Sequence, residues 1–201
     1  YSDLSVLLDG VRCKLDGGSI LHMIGGVVMS GDYIHREVLR IQAKYKTSDP
    51  YELLDALGAE LRESCAYGPK GLKGYCYFSK RTIFVVINGC LSEIEQRIVA
   101  MHEAAHIVLH QELIKLAPMK DKVIYDMTSK TEYQANLFAA DFLISDEEVE
   151  ELTAREDMDY FRMCNELCVS PDLISFKLFS MIQRGYRYNL PQNLNSTFLK
   201  S

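Results

Sequence analysis

The residues with the clearest chemical potential form the sequence His102-Glu103-Ala104-Ala105-His106. Two histidines four positions apart lie one above the other on one face of an α-helix, so both imidazoles can bind a single Zn²⁺ ion with bonds of about 2.0–2.1 Å. Glu103 points away from that stripe but can reach the open coordination position, where it would act as general base on zinc-bound water. The spacing predicts a hydrolytic zinc site, the alternative being a solvated face of an amphipathic helix.

A catalytic zinc site needs a third protein ligand. The metzincin pattern is excluded, because it requires glycine and histidine where this chain has Leu109 and Glu112. Glu132 begins a strongly helical segment whose small residues would let it pack closely against the HExxH helix. From the residues alone, Glu112, Glu132 and Asp141 remain candidates for the third ligand.

The motif requires a helix and a sheet that hold it in place. Ser92–Glu95 is a capping box followed by apolar residues at helical spacing, which predicts a long helix from about Glu93 to about His110. Before it, Tyr75–Phe78 and Thr82–Ile87 predict a β-hairpin. Zinc proteases can hold an extended substrate on a neighbouring edge strand, and we predict that Thr82–Ile87 is that strand.

Helix signals continue on both sides of the motif. Asp49-Pro50 predicts a helix start, with an apolar stripe that continues to Leu61. Downstream, the pattern predicts helices over Lys130–Ile144, from a second capping box at Ser145–Glu148, and from Ser170-Pro171 to Gly185.

Taken together, these features resemble the ImmA/IrrE family of zinc metallopeptidases. The resemblance covers about residues 48–188 and is carried by the HExxH motif with the Leu109-His110 pair after it, and by the E-x-x-A-N-x-F-A run from Glu132 to Ala139. Further matching features are the Asp49-Pro50 helix start, the Val86-Ile87-Asn88 strand end and the Val169-Ser170 helix start.

The resemblance implies an α+β fold with a zincin-like core, in which a small sheet lies beside the HExxH helix. It implies Zn²⁺ as the cofactor, His102, His106 and Glu132 as its ligands, and Glu103 as the catalytic base. It also implies a protein substrate, namely a helix-turn-helix repressor of a mobile element, a prophage or a stress regulon.

The chain divides into three predicted parts. Glycines and the Asp9-Gly10 pair between apolar runs predict a β-rich appendage over residues 1–30, for which we assign no role. The apolar spacing becomes helical from Asp32, so the metallopeptidase core is predicted over residues 31–144 and a C-terminal helical region over residues 145–201.

A second class of function is a non-proteolytic binding module, such as one half of a toxin–antitoxin pair, in which zinc is structural. A closed site with four protein ligands would favour that module, whereas three ligands and a water favour the enzyme. The sequence leaves the roles of two nearby polar residues open. His110 lies about 12 Å beyond His102 along the helix and is predicted to end it, a supporting role being the alternative; Asn136 could orient Glu132 or simply pack.

Charge excludes a broad nucleic-acid interface. The 201 residues include 22 Lys and Arg against 28 Asp and Glu, a net charge of −6, and phosphate binding needs clustered cations. The segment from Cys164 to Gly185 has a helix-turn-helix pattern, but its basic content is only Lys177 and Arg184, with Arg187 following. We therefore expect it to pack or bind a protein partner and expect no direct nucleic-acid binding.

The compartment is expected to be the cytoplasm. Six dispersed cysteines with no CxxC pair are typical of reduced thiols. The longest apolar run, Ile20–Met29, is far shorter than the roughly 20 residues of a membrane span, and Tyr1–Gly10 lacks the pattern of a signal peptide.

Overall fold

The computed structural model describes residues 20–116, 119–121 and 130–188. These residues form eight helices and one four-stranded sheet in an α+β arrangement. The helices are α1 (Ile20–Tyr45), α2 (Pro50–Ala56), α3 (Glu93–Leu109), α4 (Gln111–Leu116), α5 (Lys130–Leu143), α6 (Asp146–Thr153), α7 (Tyr160–Glu166) and α8 (Pro171–Gln183). The strands are β1 (Ala59–Ser64), β2 (Gly74–Ser79), β3 (Thr82–Asn88) and β4 (Met119–Asp121).

The sheet has the strand order β1-β3-β2-β4, with β1 parallel to β3 and the other pairs antiparallel. The predicted hairpin of β2 and β3 is confirmed. Its turn residues Lys80 and Arg81 have φ angles of 47° and 70°, the left-handed conformations that a tight two-residue hairpin requires. Alternate β3 residues Ile83, Val85 and Ile87 are buried in the hydrophobic core.

The prediction that Thr82–Ile87 forms an edge strand is wrong. Strand β3 lies between β1 and β2 and pairs with both, so its backbone hydrogen-bonding groups are already used. The sequence did not predict β1, the second partner of β3, because Leu61 fits the apolar stripe of the preceding helix. That helix ends at Ala56, Gly58 adopts a φ of 72°, and the chain then forms β1. Among the described strands, β1 and β4 occupy the two edges.

The HExxH helix lies at the centre of the helical layer. Helix α3 packs against α2, α5 and the strands β2 and β3. On α5, the small residues Ala135 and Ala139, which leave room for a neighbouring helix, are fully or almost fully buried. Close packing of these two helices, expected from the alanines, is therefore confirmed.

Helix α1 corrects the predicted boundary after Ser30. It continues without interruption from Ile20 to Tyr45, so residues 20–30 are helical rather than part of a β-rich appendage. Gly25 and Gly26 suggested a break, but a helix tolerates interior glycine at a cost of about 1 kcal/mol each relative to alanine. The β segments predicted within residues 1–19 lie outside the described residues.

The C-terminal helices share the core of the rest of the fold. Buried residues of α6 and α8, among them Val149 and Leu173, belong to the same hydrophobic cluster as the α3 and α5 residues. Lys177, one of the few cations in the helix-turn-helix segment, is buried, with only 1% of the residue exposed. Two carboxylates neutralise it within the core. None of the described helices combines the length and apolar character needed to span a membrane.

Candidate metal centre

Helix α3 positions the three residues of the HExxH motif. Its N-terminus is fixed by the capping box that the sequence predicted, with Ser92 accepting from the Glu95 amide and Glu95 accepting from the Ser92 amide. Ten residues further along, His102, Glu103 and His106 are all completely buried. Buried polar side chains are costly unless they have partners, so their burial points to a specific role.

The N-terminal turn of α5 brings Glu132 to the two histidines. Its Oε2 lies 3.2 Å from His102 Nε2, its Oε1 lies 3.5 Å from His106 Nε2, and the two Nε2 atoms are 3.0 Å apart. Ligands of a tetrahedral zinc ion with bonds of 2.0–2.1 Å are about 3.3 Å from each other. The three donors thus already have the spacing that zinc needs, and they could hold a metal ion.

His102 is oriented by a residue on the facing helix. Its Nδ1 lies 2.9 Å from Oδ1 of Asn136, which is 1% exposed. An amide oxygen can only accept, so a neutral His102 that donates from Nδ1 would keep its Nε2 lone pair available for a metal ion. The structure therefore places Asn136 on His102, whereas the sequence left open whether Asn136 orients Glu132 or simply packs.

His106 has a different partner, which is itself a histidine. Its Nδ1 lies 3.1 Å from Nδ1 of His110, whose Nε2 lies 3.0 Å from Oε1 of Gln134. His110 also ends helix α3 as predicted, with its amide bonded to the His106 carbonyl. Burial lowers the pKa of His110, which favours its neutral form. Gln134 was not identified from the sequence, because nothing in its spacing marks it.

Gly74 at the start of β2 contacts the proposed general base. A Cβ atom at this position would lie 2.8 Å from Glu103 Oε1 and 2.5 Å from Val99 Cγ1, closer than packed atoms normally approach. The absence of a side chain thus makes room for the Glu103 carboxylate beside the sheet. The sequence offered only a weak signal for this, a glycine at the start of a strand.

The other two candidates for the third ligand are elsewhere. The Glu112 side chain is 82% exposed and forms an ion pair with Lys115 at 2.6 Å. Asp141 is buried, but in a separate cluster with Lys177 and His35. Asp141, His35 and Asp146 are also close enough to hold a metal ion. There, however, the cations of Lys177 and Arg184 already balance the carboxylates.

The turn before α3 is held by Asn88, which is 2% exposed. Its Nδ2 donates to the carbonyls of Gly68 and Leu72 at 2.7 and 3.0 Å, and its Oδ1 accepts from the Cys90 amide at 2.9 Å. This one side chain ties the loop that leads into β2 to the turn that leads into α3. The two elements that meet at Glu103 are thereby fixed relative to each other.

Comparison with known proteins agrees with this geometry. Residues 57–179, more than half of the chain, match the IrrE N-terminal-like domain, which defines a peptidase family. A protein of Bacillus phage phi105, described as uncharacterized immunity region protein 2, is 32% identical over 113 residues. That alignment covers 56% of this chain and 69% of the phage protein. The HExxH helix and Glu132 both lie within the matched range.

Proposed function

Because the chain belongs to the peptidase family of the IrrE N-terminal-like domain, we propose that it is a zinc-dependent endopeptidase that cleaves a helix-turn-helix repressor. The observation that supports this proposal is the arrangement of His102, His106 and Glu132, whose donor atoms lie 3.0–3.5 Å apart. This spacing fits three protein ligands of tetrahedral zinc, and a catalytic zinc site keeps its fourth position for water or substrate.

Zinc, when bound, would polarise the scissile carbonyl and lower the pKa of the attacking water. Glu103 follows His102 on the same helix and has its carboxylate next to Gly74 of the sheet. In the proposed reaction Glu103 removes a proton from the attacking water and later returns it to the leaving amine. The Nδ1 atom of His102 contacts Asn136, and the Nδ1 atom of His106 contacts His110.

The proposed substrate rests on the relatives and on charge. The phage relative is named for an immunity region, and cleavage of a repressor would give a peptidase a regulatory role in such a region. The net charge of −6 would attract a basic DNA-binding partner over a distance set by the ionic strength.

A non-proteolytic binding module is the second candidate. It would be favoured by a closed site of four protein ligands. Among the residues that the structure describes, the group at this centre contains two imidazoles and one carboxylate, which supports the enzyme. The described part of the chain thus gives no specific observation in favour of the module.

The deciding experiment is Glu103→Gln. We expect this variant to fold and to retain zinc, since Glu103 is not a proposed ligand. Its cleavage of a helix-turn-helix repressor encoded beside this gene should fall at least about a hundredfold, because an amide cannot accept the proton. Zinc content by mass spectrometry and repressor cleavage by gel and product mass are the measurements. Undiminished turnover would overturn the proposal, as would a biological effect that persists in Glu103→Gln.

The ligand set is tested separately. We expect Glu132→Ala to lose zinc, because removing the carboxylate leaves two imidazoles. Glu112→Ala is the matched control, as its side chain is exposed and, within the described residues, pairs with Lys115. Metal analysis after dialysis against a weak chelator compares the two variants with the wild type. Zinc retained by Glu132→Ala but lost from Glu112→Ala would contradict the assignment.

A further inference from the structure

Two side chains outside the proposed ligand set, the buried His110 and the half-buried Gln134, form a chain of hydrogen bonds that ends on His106. His106 Nδ1 lies 3.1 Å from His110 Nδ1, and His110 Nε2 lies 3.0 Å from Gln134 Oε1. His106 is fully buried and His110 is 8% exposed, so water has little access to the bond between the two rings. A buried hydrogen bond of this kind holds its partners more firmly than a solvated one.

We propose that His110 and Gln134 are positioning residues that hold His106 in the tautomer and ring orientation required for metal binding. The inference rests on the proposed function, because it requires that His106 binds the metal through Nε2. We call the three hydrogen-bonded side chains of His106, His110 and Gln134 the imidazole relay.

Metal binding determines every proton in the imidazole relay. To bind a metal, His106 must present the lone pair of Nε2, so its proton is on Nδ1. That N–H can donate only if His110 Nδ1 is an acceptor, and the proton of neutral His110 is then on Nε2. The His110 Nε2–H donates to Gln134 Oε1, an acceptor. The reverse arrangement would place a proton on His106 Nε2 and block the metal.

Backbone contacts hold His110 in place for this task. Its amide donates to the His106 carbonyl at 2.8 Å, and its carbonyl accepts from the amides of Leu113 and Ile114 at 2.9 and 3.2 Å. His110 is therefore fixed between the end of α3 and the start of α4. Gln134 comes from α5, the helix that also carries Glu132 and Asn136. Helix α5 thus reaches the Nδ1 side of both motif histidines, that of His102 through Asn136 and that of His106 through Gln134 and His110.

An imidazole suits the middle position because it can accept on one nitrogen and donate on the other. Asparagine reproduces half of this function, since its Oδ1 can occupy the position of His110 Nδ1 and accept from His106. Leucine reproduces neither half but fills similar space. The two substitutions therefore separate the hydrogen bond from simple packing.

The test measures zinc affinity by competition with a chelating dye, in the full chain, for His110→Leu, His110→Asn and Gln134→Leu. We expect His110→Leu to weaken zinc binding about 10- to 100-fold, His110→Asn to recover most of the loss, and Gln134→Leu to lie between them. Gln111→Ala, an exposed neighbour, is the control and should bind zinc like the wild type. Thermal unfolding of the metal-free proteins identifies any variant that simply fails to fold.

Two spectroscopic measurements are insensitive to a merely structural role. The visible absorption of the cobalt-substituted protein should shift in His110→Leu and return towards wild type in His110→Asn. In the zinc-loaded wild type, ¹⁵N histidine shifts should show the protons on His106 Nδ1 and His110 Nε2. A proton on His110 Nδ1, or an unchanged affinity and cobalt spectrum in His110→Leu, would overturn the imidazole relay.

The outcomes separate this inference from the proposed function. If the wild type binds no zinc or cobalt, both the metal centre and the imidazole relay are wrong. If His110→Leu binds zinc like the wild type, the relay is wrong and the peptidase proposal stands. If the affinities change as expected but the wild type cleaves no repressor, the relay stands and the peptidase proposal falls.

Discussion

A carboxylate that acts as a general base must be held within a few tenths of an ångström of its working position. At Glu103 this depends on Gly74, because the missing side chain of the glycine leaves room for the carboxylate. Gly74 lies so close that a Cβ would approach Glu103 Oε1 to 2.8 Å and Val99 Cγ1 to 2.5 Å. Val99 is buried in the core and has little room to move. If position 74 carried a Cβ, the Glu103 carboxylate would therefore have to move.

We expect Gly74→Ala to lower kcat for repressor cleavage about 10- to 100-fold while zinc content stays at the wild-type level. A displacement of about 1 Å at a reacting group is enough for such a loss. Zinc analysis and steady-state kinetics are the measurements. Gly89→Ala is the control, because the nearest atoms to its Cβ would be side-chain atoms of Cys65 at 3.2 Å and of Glu63 at 3.6 and 3.8 Å. A wild-type kcat in Gly74→Ala would show that Glu103 is positioned by other contacts.

How far the sequence predicted the site depends on whether a contact is local. His102 and His106 face the same way because one helix fixes their spacing, which any helix would do. Glu132 required a family resemblance, since only tertiary packing brings α5 to α3. Gly74 and Gln134 gave no usable signal. Each acts on a residue from another element, and no periodicity in the sequence records that contact.

The helices around the motif are joined by a buried network of charges. Lys177 Nζ of α8 lies 3.1 Å from Asp141 of α5 and 2.6 Å from Asp146 of α6. Arg184 adds a second cation next to Asp146, and His35 of α1 contacts Asp141 at 3.4 Å. Because α5 also carries Glu132, this network anchors the far end of the helix that supplies the proposed third ligand.

Burial would raise the pKa of Asp141, but hydrogen bonds from His35 and Ser180 and the charge of Lys177 outweigh it and lower that pKa. Burial would also raise the pKa of Asp146, but hydrogen bonds from Arg184 and Lys177 lower that pKa well below its usual range. A carboxyl whose folded-state pKa is depressed stabilises the fold above its unfolded pKa of about 3.9. That contribution is lost as the pH falls below about 4 towards the folded-state pKa values.

We expect Lys177→Met to lower the free energy of unfolding by about 3–5 kcal/mol at neutral pH, because it leaves the buried Asp141 carboxylate without its nearest cation. The difference from wild type should shrink as the pH falls below about 4 and the carboxylates are protonated. Urea unfolding at several pH values measures both effects. Arg155→Met, which removes an exposed pair with Glu166, is the control and should cost at most about 1 kcal/mol. Equal losses in the two variants would contradict a stabilising role of the network.

Elements were predictable where the local signals agreed. Capping boxes at Ser92 and Ser145 marked the starts of α3 and α6 correctly, because a cap is a contact within a few residues. Strand β1 was missed because it is mostly exposed and polar, and it exists through parallel pairing with β3. The burial of Lys177 was not predicted for a related reason, since its carboxylate partners come from two other helices.

For the molecule as a whole, the position of β3 changes where a substrate can bind. With β3 central, an extended peptide can pair only at an edge, and among the described strands the edges are β1 and β4. Strand β4 pairs with Gly74–Cys76, the end of β2 that contacts Glu103. The edge formed by β4 therefore lies nearest the proposed general base. We expect the substrate backbone to add to the sheet on that side.

Such an edge can accept only backbone whose N–H and C=O groups are free, so cleavage should occur in an extended or locally unfolded segment of the repressor and not within a packed helix. A short extended segment offers few discriminating pockets, which leaves recognition to surfaces remote from the metal. We expect net charge to contribute to this recognition, because a chain of net charge −6 attracts a basic DNA-binding protein from a distance.

We therefore expect the KM for the repressor to rise severalfold between about 0.1 M and 1 M salt, with kcat nearly unchanged, as the Debye length falls from about 10 Å to about 3 Å. Cleavage of a neutral peptide that spans the same bond should show little salt dependence, which makes it the control. Kinetics at several salt concentrations, with cleavage sites mapped by mass spectrometry, measure both. If unrelated unfolded proteins are cut as fast as the repressor at every salt concentration, no dedicated partner exists. If KM is independent of salt while the repressor is still preferred, recognition depends on shape and apolar contact instead of charge.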